Sequence, residues 1–225
     1  YELYARQWTR VFPRFLPKER GAAILDVGCG AGHCLYALHK LGYANARGID
    51  QSEGMLRKTR QMGVTQVECA NMFEYLPAHP GTFDVIISND VIEHLYKDEV
   101  FQYLDAIRTA LKPGGTCIIR TNNCGTALAS RLRYIDFTHE TGFTEIALVA
   151  VLETAGFEDP VVYGLGPVAH DLLSFLRVCL WYIFRSGLVL FYKVQIGFGR
   201  GKVIKQKLVF EPMMFAVARR PSGGQ

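Results

Sequence analysis

Two histidines stand in surroundings that suit proton transfer. His139 lies in the polar run Tyr134-Ile135-Asp136-Phe137-Thr138-His139-Glu140-Thr141-Gly142-Phe143-Thr144, and His94 lies in Glu93-His94-Leu95. An imidazole titrates near working pH, so it can take a proton from an acceptor group and release it again. A neighbouring carboxylate, Asp136 or Glu140, can orient such a base. The competing roles are loop-stapling hydrogen bonds for His139 and the capping and packing of a helix start for His94. Asp136, His139 and Glu140 also carry metal-ligating atoms. One Asp-x-x-His-Glu run without a distant further ligand is weak evidence, and no metal is expected.

The element that must position this chemistry is Ile24-Leu25-Asp26-Val27-Gly28-Cys29-Gly30-Ala31-Gly32. Ala22 to Val27 reads as a strand buried on both faces, and the glycines let the backbone turn sharply and approach a ligand. Leu35, Leu38 and Leu41 then recur with helical spacing from His33, so the loop feeds a helix N-terminus and makes a nucleotide-type pocket. Further strands are predicted at Ala44–Asp50, Val64–Cys69, Phe83–Asn89, Thr116–Thr121, Phe157–Tyr163 and Lys207–Arg219. Helices are predicted from Ser52 to Met62, Lys97 to Leu111 and Thr144 to Ala155. Alternating strands and helices predict a parallel sheet with helices on both faces. Tyr1 to Phe12 has helical spacing too. Its Tyr4 and Trp8 suit either a lid over the pocket or plain packing.

Asp26-Val27-Gly28-Cys29-Gly30-Ala31-Gly32 resembles the first motif of class I S-adenosylmethionine-dependent methyltransferases. Gly48-Ile49-Asp50, Phe83-Asp84-Val85-Ile86-Ile87-Ser88-Asn89 and Leu111-Lys112-Pro113-Gly114-Gly115 follow at the matching places, and the resemblance covers about residues 20 to 160. It implies an α/β, Rossmann-like seven-stranded sheet whose last strand is antiparallel, with S-adenosylmethionine as cofactor and S-adenosylhomocysteine as product. Asp50, closing the second strand, would accept both ribose hydroxyls, with Gln51 beside it. Asn71 would bind the adenine amino group, where the family more often has Asp, and Met72 would pack on the ring. Asp26 and the loop of Gly28, Cys29, Gly30 and Gly32 would meet the methionine end. Asn89 would offer its carbonyl to the ammonium. The spacing Gly28-x-Gly30-x-Gly32 lacks the longer final gap of the dinucleotide fingerprint, which argues against a nicotinamide enzyme.

A length of 225 residues fits a single domain. The net charge is +4, but from residue 171 onward nine Lys/Arg face two Asp/Glu. Six cysteines, at positions 29, 34, 69, 117, 124 and 179, show neither metal spacing nor a disulfide framework, which suggests reduced thiols in a cytoplasmic protein. No signal peptide is evident. No run of about 20 uninterrupted apolar residues occurs, so no spanning helix is expected.

Residues 164–206 read as an insertion between the last two strands. Its dense apolar run, Leu172 to Phe184 and Leu188 to Tyr192, is broken by Arg177 and Arg185 and followed by Lys193, Arg200, Lys202, Lys205 and Lys207. That composition suits a substrate cover, a peripheral membrane contact at the inner face, or core and homodimer packing. A nucleic-acid substrate is not expected. The fourth strand ends in Ser88-Asn89-Asp90-Val91 rather than Asn/Asp-Pro-Pro-aromatic, and the basic stretch is too aliphatic for a phosphate track.

The run Asp136-x-Thr138-His139-Glu140 followed by Phe143-Thr144 resembles, more loosely, methyltransferases of bacterial surface-glycan pathways. The expected activity is therefore O-methylation of a sugar hydroxyl on a surface or lipid-linked glycan. The alternatives are O-methylation of a small molecule or isoprenoid quinone, and a cofactor-binding partner protein without turnover.

Overall fold

The computed structural model describes residues 8–9, 11–196 and 207–223. Its centre is a seven-stranded sheet. The strands are β1 (Ile24–Val27), β2 (Ala46–Asp50), β3 (Val67–Cys69), β4 (Phe83–Asn89), β5 (Leu111–Asn122), β6 (Glu158–Leu165) and β7 (Met213–Arg219), in the order β3-β2-β1-β4-β5-β7-β6. β1 to β5 pair in parallel, and β7 runs antiparallel between β5 and β6. The helices are α1 (His33–Lys40), α2 (Glu53–Gln61), α3 (Met72–Ala78), α4 (Lys97–Ala110), α5 (Ala129–Arg133), α6 (Glu145–Thr154) and α7 (Leu172–Ile196).

β1 explains the sheet. All four of its residues are buried, because apolar clusters lie on both faces. Leu25, Val27, Ile86 and Ile119 point into one cluster with α4 and α6, while Ile24, Val85, Ile87 and Ile118 point into the other with α1. β1 pairs Val27 with Ile49 on one side and with Ser88 on the other. The chain therefore leaves β1, β2 and β4 at one rim, where the strand order reverses and open α/β sheets bind ligands.

Several predicted bounds change for local reasons. β3 is short and starts at Val67, and β1 starts at Ile24. Lys112 to Gly115 bulge inside β5 rather than preceding it, because Phe83 pairs Leu111 while Val85 pairs Thr116. The bulge is fastened by Gly114 N–H to the Arg220 carbonyl and Arg220 N–H to the Gly115 carbonyl. β7 begins at Met213, with Lys207 to Pro212 leading into it. The sequence reading missed α3, which carries Pro77 in its last turn, and α5, which has no buried residue to betray a periodic face.

Trp8 is buried with Phe12, ring centroids 4.3 Å apart, and the Arg120 guanidinium lies over its indole at 5.0 Å. Its described contacts are packing ones. Tyr4, the other lid candidate, lies outside the described residues, as do Arg200, Lys202 and Lys205.

The expectation of no spanning-length helix is corrected. Residues 172–196 form one continuous helix of 25 residues, and Leu172–Gln195 is long and apolar enough to cross a membrane by length and composition, with mean hydropathy 1.5. The arginines that interrupt the apolar run do not interrupt the helix. Asp171 caps it, its Oδ1 accepting from Ser174 N–H at 2.7 Å. Core packing, one role foreseen for this segment, is corrected as well, because only 6% of the apolar window is buried.

Candidate active site

Gly28, Gly30 and Gly32 all have positive φ, at 68°, 52° and 79°. At two of them space is closed as well. A Cβ on Gly28 would lie 2.5 Å from Val91 Cγ2, and one on Gly32 would lie 2.3 Å from Thr59 Cγ2. The loop is held by Cys29 N–H on the Ile49 carbonyl (3.0 Å) and by Thr59 Oγ1–H on the Gly30 carbonyl (2.9 Å). Gly30 N–H donates to Asp50 Oδ2 at 2.8 Å, and Ser52 N–H donates to Asp50 Oδ1 at 2.8 Å. The carboxylate is thus locked in place with one lone pair of each oxygen in use, and a second on each remains for a diol. Cys29 serves through its backbone. Its thiol is buried and its pKa is pushed far up, chiefly by desolvation and then by Asp26 and Asp50.

Beneath the loop, Asp26 is buried, accepting from Asn89 Nδ2 at 3.3 Å. Among the described residues Asp26 Oδ2 and Asn89 Oδ1 have no hydrogen-bond partner, so two acceptor atoms sit orphaned beside a bare-backbone cradle. Burial pushes the Asp26 carboxyl up to about 7. The Asn89 hydrogen bond pulls against that shift, and Asp50 adds to it. These orphaned acceptors and the glycine cradle fit a ligand with a cationic amino group and a ribose.

On the adenine side, Asn71 caps α3, its Oδ1 accepting from Phe73 N–H at 2.9 Å. One lone pair of that oxygen is used by the cap, and the second remains for an amino group such as that of adenine. Met72 is half-buried beside it, and Gln51 is exposed.

A raised carboxyl pKa has a defined effect on stability. The folded value of Asp26, about 7, lies above the ordinary 3.8, so the native state holds the proton more tightly than the unfolded chain. Glu93 shifts the same way, to about 7 from 4.5. The stability that these two carboxyls contribute to the ligand-free protein is therefore fully present below about pH 4 and is lost as pH rises through 7. Asp26→Asn is expected to remove part of that fall, leaving the variant roughly 2 kcal/mol more stable than the wild type at pH 8. Urea unfolding at pH 5 and pH 8 checks this. A wild type that gains stability between those values contradicts it.

The two candidate histidines, 45 residues apart in sequence, meet edge-on with ring centroids 4.8 Å apart. The strap that joins them runs from Glu93 to Thr141. The Glu93 carbonyl accepts from Glu140 N–H (2.8 Å) and Thr141 N–H (3.0 Å), and Thr141 Oγ1–H donates to the Leu95 carbonyl (2.8 Å). His94 Nδ1 lies 3.2 Å from the Thr138 carbonyl and 2.9 Å from Thr138 Oγ1. A carbonyl only accepts, so Nδ1 carries the proton, and in the neutral ring Nε2 keeps its lone pair. Thr138 Oγ1–H in turn donates to Asp136 Oδ1 at 2.7 Å, and Thr138 N–H donates to the same oxygen at 2.9 Å. These bonds hold the Asp136 carboxyl below its ordinary pKa.

His139 differs. It is buried, with Nδ1 on the Arg133 carbonyl at 3.3 Å, while Arg133 Nη1–H donates to the His139 carbonyl and Nη2–H to the Glu140 carbonyl. The structure thus connects Asp136 to His94 through Thr138. The foreseen pairing of Asp136 or Glu140 with His139 is corrected: Asp136 spends its bonds on Thr138, and Glu140 contributes backbone bonds from an exposed position.

Sequence reasoning also missed Glu93. Its carboxyl is buried, and among the described residues neither oxygen has a hydrogen bond of full geometry, although the Thr121 hydroxyl lies beside it. Desolvation drives its pKa up, partly offset by nearby backbone N–H groups and Thr121. The Asp90–Arg120 pair was missed too, with Nε–H on Oδ1 at 3.1 Å and Nη2–H on Oδ2. Its only sequence signal is an acid directly after a strand tip. Among the described residues, no group of three His, Cys, Asp or Glu side chains is arranged to hold a metal ion.

Residues 25–119, a little under half of the chain, match the family model for a methyltransferase domain. The fixed Asp50 carboxylate and the acceptors at Asp26 and Asn89 fit S-adenosylmethionine as cofactor. The chain is 27% identical over 183 residues to a tRNA U34 carboxymethyltransferase of Hahella chejuensis, covering 73% of this chain and 53% of that protein. It is 34% identical over 108 residues to a ubiquinone biosynthesis O-methyltransferase of Thiobacillus denitrificans, covering 46% of this chain and 45% of the relative. The chain thus spans about half the length of the curated relatives it matches. A crystal structure of a SAM-dependent methyltransferase from Archaeoglobus fulgidus shares the fold, with TM-score 0.67, 21% identity and coverage of 96% of this chain and 94% of that one.

Proposed function

We propose that this protein transfers a methyl group from S-adenosylmethionine to an oxygen, and that the acceptor is a sugar hydroxyl of a surface or lipid-linked glycan. The observation that carries the oxygen assignment is the approach of His94 Nδ1 to the Thr138 carbonyl and hydroxyl, which assigns the ring proton to Nδ1 and leaves Nε2 as a proton acceptor after β4. When bound, the cofactor supplies an electrophilic methyl on a sulfonium, and the leaving thioether is neutral. The protein's share is alignment of the acceptor and removal of its proton. Asp50, fixed by Gly30 and Ser52, holds the ribose diol. Asp26, Asn89 and the glycine backbone take the amino-acid end. His94 Nε2 accepts the hydroxyl proton, and the resulting imidazolium is steadied through Thr138 by ionised Asp136. His139 braces the ring edge-on and holds the strap. The polar strap Asp136 to Thr141 supports a hydroxylated acceptor.

A second reading is O-methylation of an isoprenoid quinone precursor. The ubiquinone O-methyltransferase relatives favour it, and so does the exposed apolar surface of α7.

The deciding experiment supplies labelled S-adenosylmethionine with two acceptor pools, a lipid-linked saccharide extract and a phenolic quinone precursor. Product S-adenosylhomocysteine is expected with the saccharide pool. Turnover with the phenol alone selects the second reading. Tight cofactor binding with turnover of neither pool overturns both.

A further inference from the structure

We propose that α7 is an in-plane membrane dock, whose outer face enters the headgroup and acyl boundary of a bilayer containing anionic lipid. The helix has two faces of unusual polarity. Ser174, Val178, Trp181, Arg185, Leu188 and Tyr192, spaced by three and four residues, form the less exposed stripe. Two contacts tie that stripe to the body. Arg185 Nε pairs with Glu211 Oε1 at 3.3 Å, and Tyr192 meets Phe210 edge-on with centroids 6.0 Å apart. The opposite face holds Leu172, Leu176, Leu180, Ile183, Leu190 and Val194, all exposed, with Ile183 at 71%. A soluble surface helix turns its apolar stripe inward, and this one turns it outward.

Charge identifies the occupant. At 100° per residue, Arg177 and Lys193 fall on the two opposite borders of the apolar face, where long basic side chains reach headgroups while their stems lie on apolar surface. Arg185, the other basic residue of the helix before Lys193, is turned inward and neutralised by Glu211. From Ser186 to Phe210 the sequence has no Asp or Glu. A second copy of this chain would bring the same positive borders against each other. An anionic bilayer complements them.

Topology decides between lying and crossing. At 1.5 Å per residue α7 is about 37 Å long, enough to span about 30 Å of hydrocarbon. Yet β6 before it and β7 after it are paired in one sheet. A crossing helix would leave β7 on the far side, and the return would put unpaired backbone through lipid, which is forbidden. The helix therefore lies in the plane. It emerges between the C-terminal end of β6 and the start of β7, the same rim as the His94 strap, whose Tyr134, Ile135 and Phe137 are also exposed.

This goes beyond the methyl-transfer reading and is tested apart from it. The full chain is floated with phosphatidylcholine vesicles, with and without a third of phosphatidylglycerol. Flotation is expected with the phosphatidylglycerol vesicles, about tenfold above the neutral ones. Ile183→Asp with Leu190→Asp is expected to abolish it at unchanged S-adenosylhomocysteine affinity. Arg177→Glu with Lys193→Glu is expected to erase the preference for phosphatidylglycerol. Wild-type protein left unbound, or an Asp variant that floats as well as wild type, overturns the proposal. A stable wild-type dimer by light scattering that does not float assigns the face to a second copy and overturns it too. Failure of wild-type protein to bind the cofactor sinks the methyl-transfer reading and leaves the flotation result standing.

Discussion

Asp50→Ala is expected to weaken S-adenosylhomocysteine binding by about 10²- to 10³-fold. Two hydrogen bonds from a ribose diol to an ionised carboxylate contribute about 1.5–3 kcal/mol each. The substitution also frees Gly30 N–H and Ser52 N–H, each bonded to Asp50 at 2.8 Å, and so loosens the loop that carries the amino-acid end. Asp50→Asn is not a mild change here. Both carboxylate oxygens already accept from a backbone N–H, so an amide must aim its own NH₂ at one of those donors. The Asn variant is therefore expected to bind at least tenfold more weakly than wild type. Dissociation constants for the three proteins check the series, and a change under threefold for the Ala variant contradicts it.

His94→Ala is expected to lower kcat by about 10²- to 10³-fold, with cofactor affinity within twofold of wild type. In the proposed reaction the lone pair that takes the acceptor proton is lost with the ring. His139→Ala is expected to cost about tenfold, because that ring is buried and packs edge-on against His94. Thr138→Val breaks the link between His94 and Asp136, and its effect on kcat should also be near tenfold. Combined with His94→Ala it should add almost nothing, since both act through one imidazole. Steady-state kinetics on the four variants test this. A His139→Ala loss larger than that of His94→Ala reverses the assignment.

The frame of the site was legible because its signals are local. The buried run into Gly28, the helical leucines after His33 and the acid closing β2 each sit within a few residues of the feature they specify. Ser52 and Thr144 announced their helices by cap chemistry, and both accept from the third helical N–H. What stayed hidden depends on residues far apart. Nothing in the sequence says that a histidine after β4 lies against one after β5, or that Thr138 stands between His94 and Asp136. The Asn71 side chain could be placed near the adenine, but its use as the α3 cap depends on a helix that Pro77 disguised.

The insertion was legible in composition but not in geometry. Arg177 and Arg185 look like breaks in an apolar run when read along the chain. Wound into a helix, one lies at the border of the outer face and the other turns in to meet Glu211. Glu93 shows the opposite case. As the first residue of a Glu-His-Leu segment it reads as a helix-start acid, yet it is buried beside Thr121.

The most direct test of the central claim, that the Asp50 carboxylate grips a ribose diol beside the glycine loop, is a calorimetric titration of the wild-type protein. S-adenosylhomocysteine and its 2′,3′-dideoxyribose analogue are compared on the same folded material. The expected result is one saturable site for the natural nucleoside and at least a hundredfold weaker binding of the analogue. Equal affinity for the two, or no heat with either, contradicts the account.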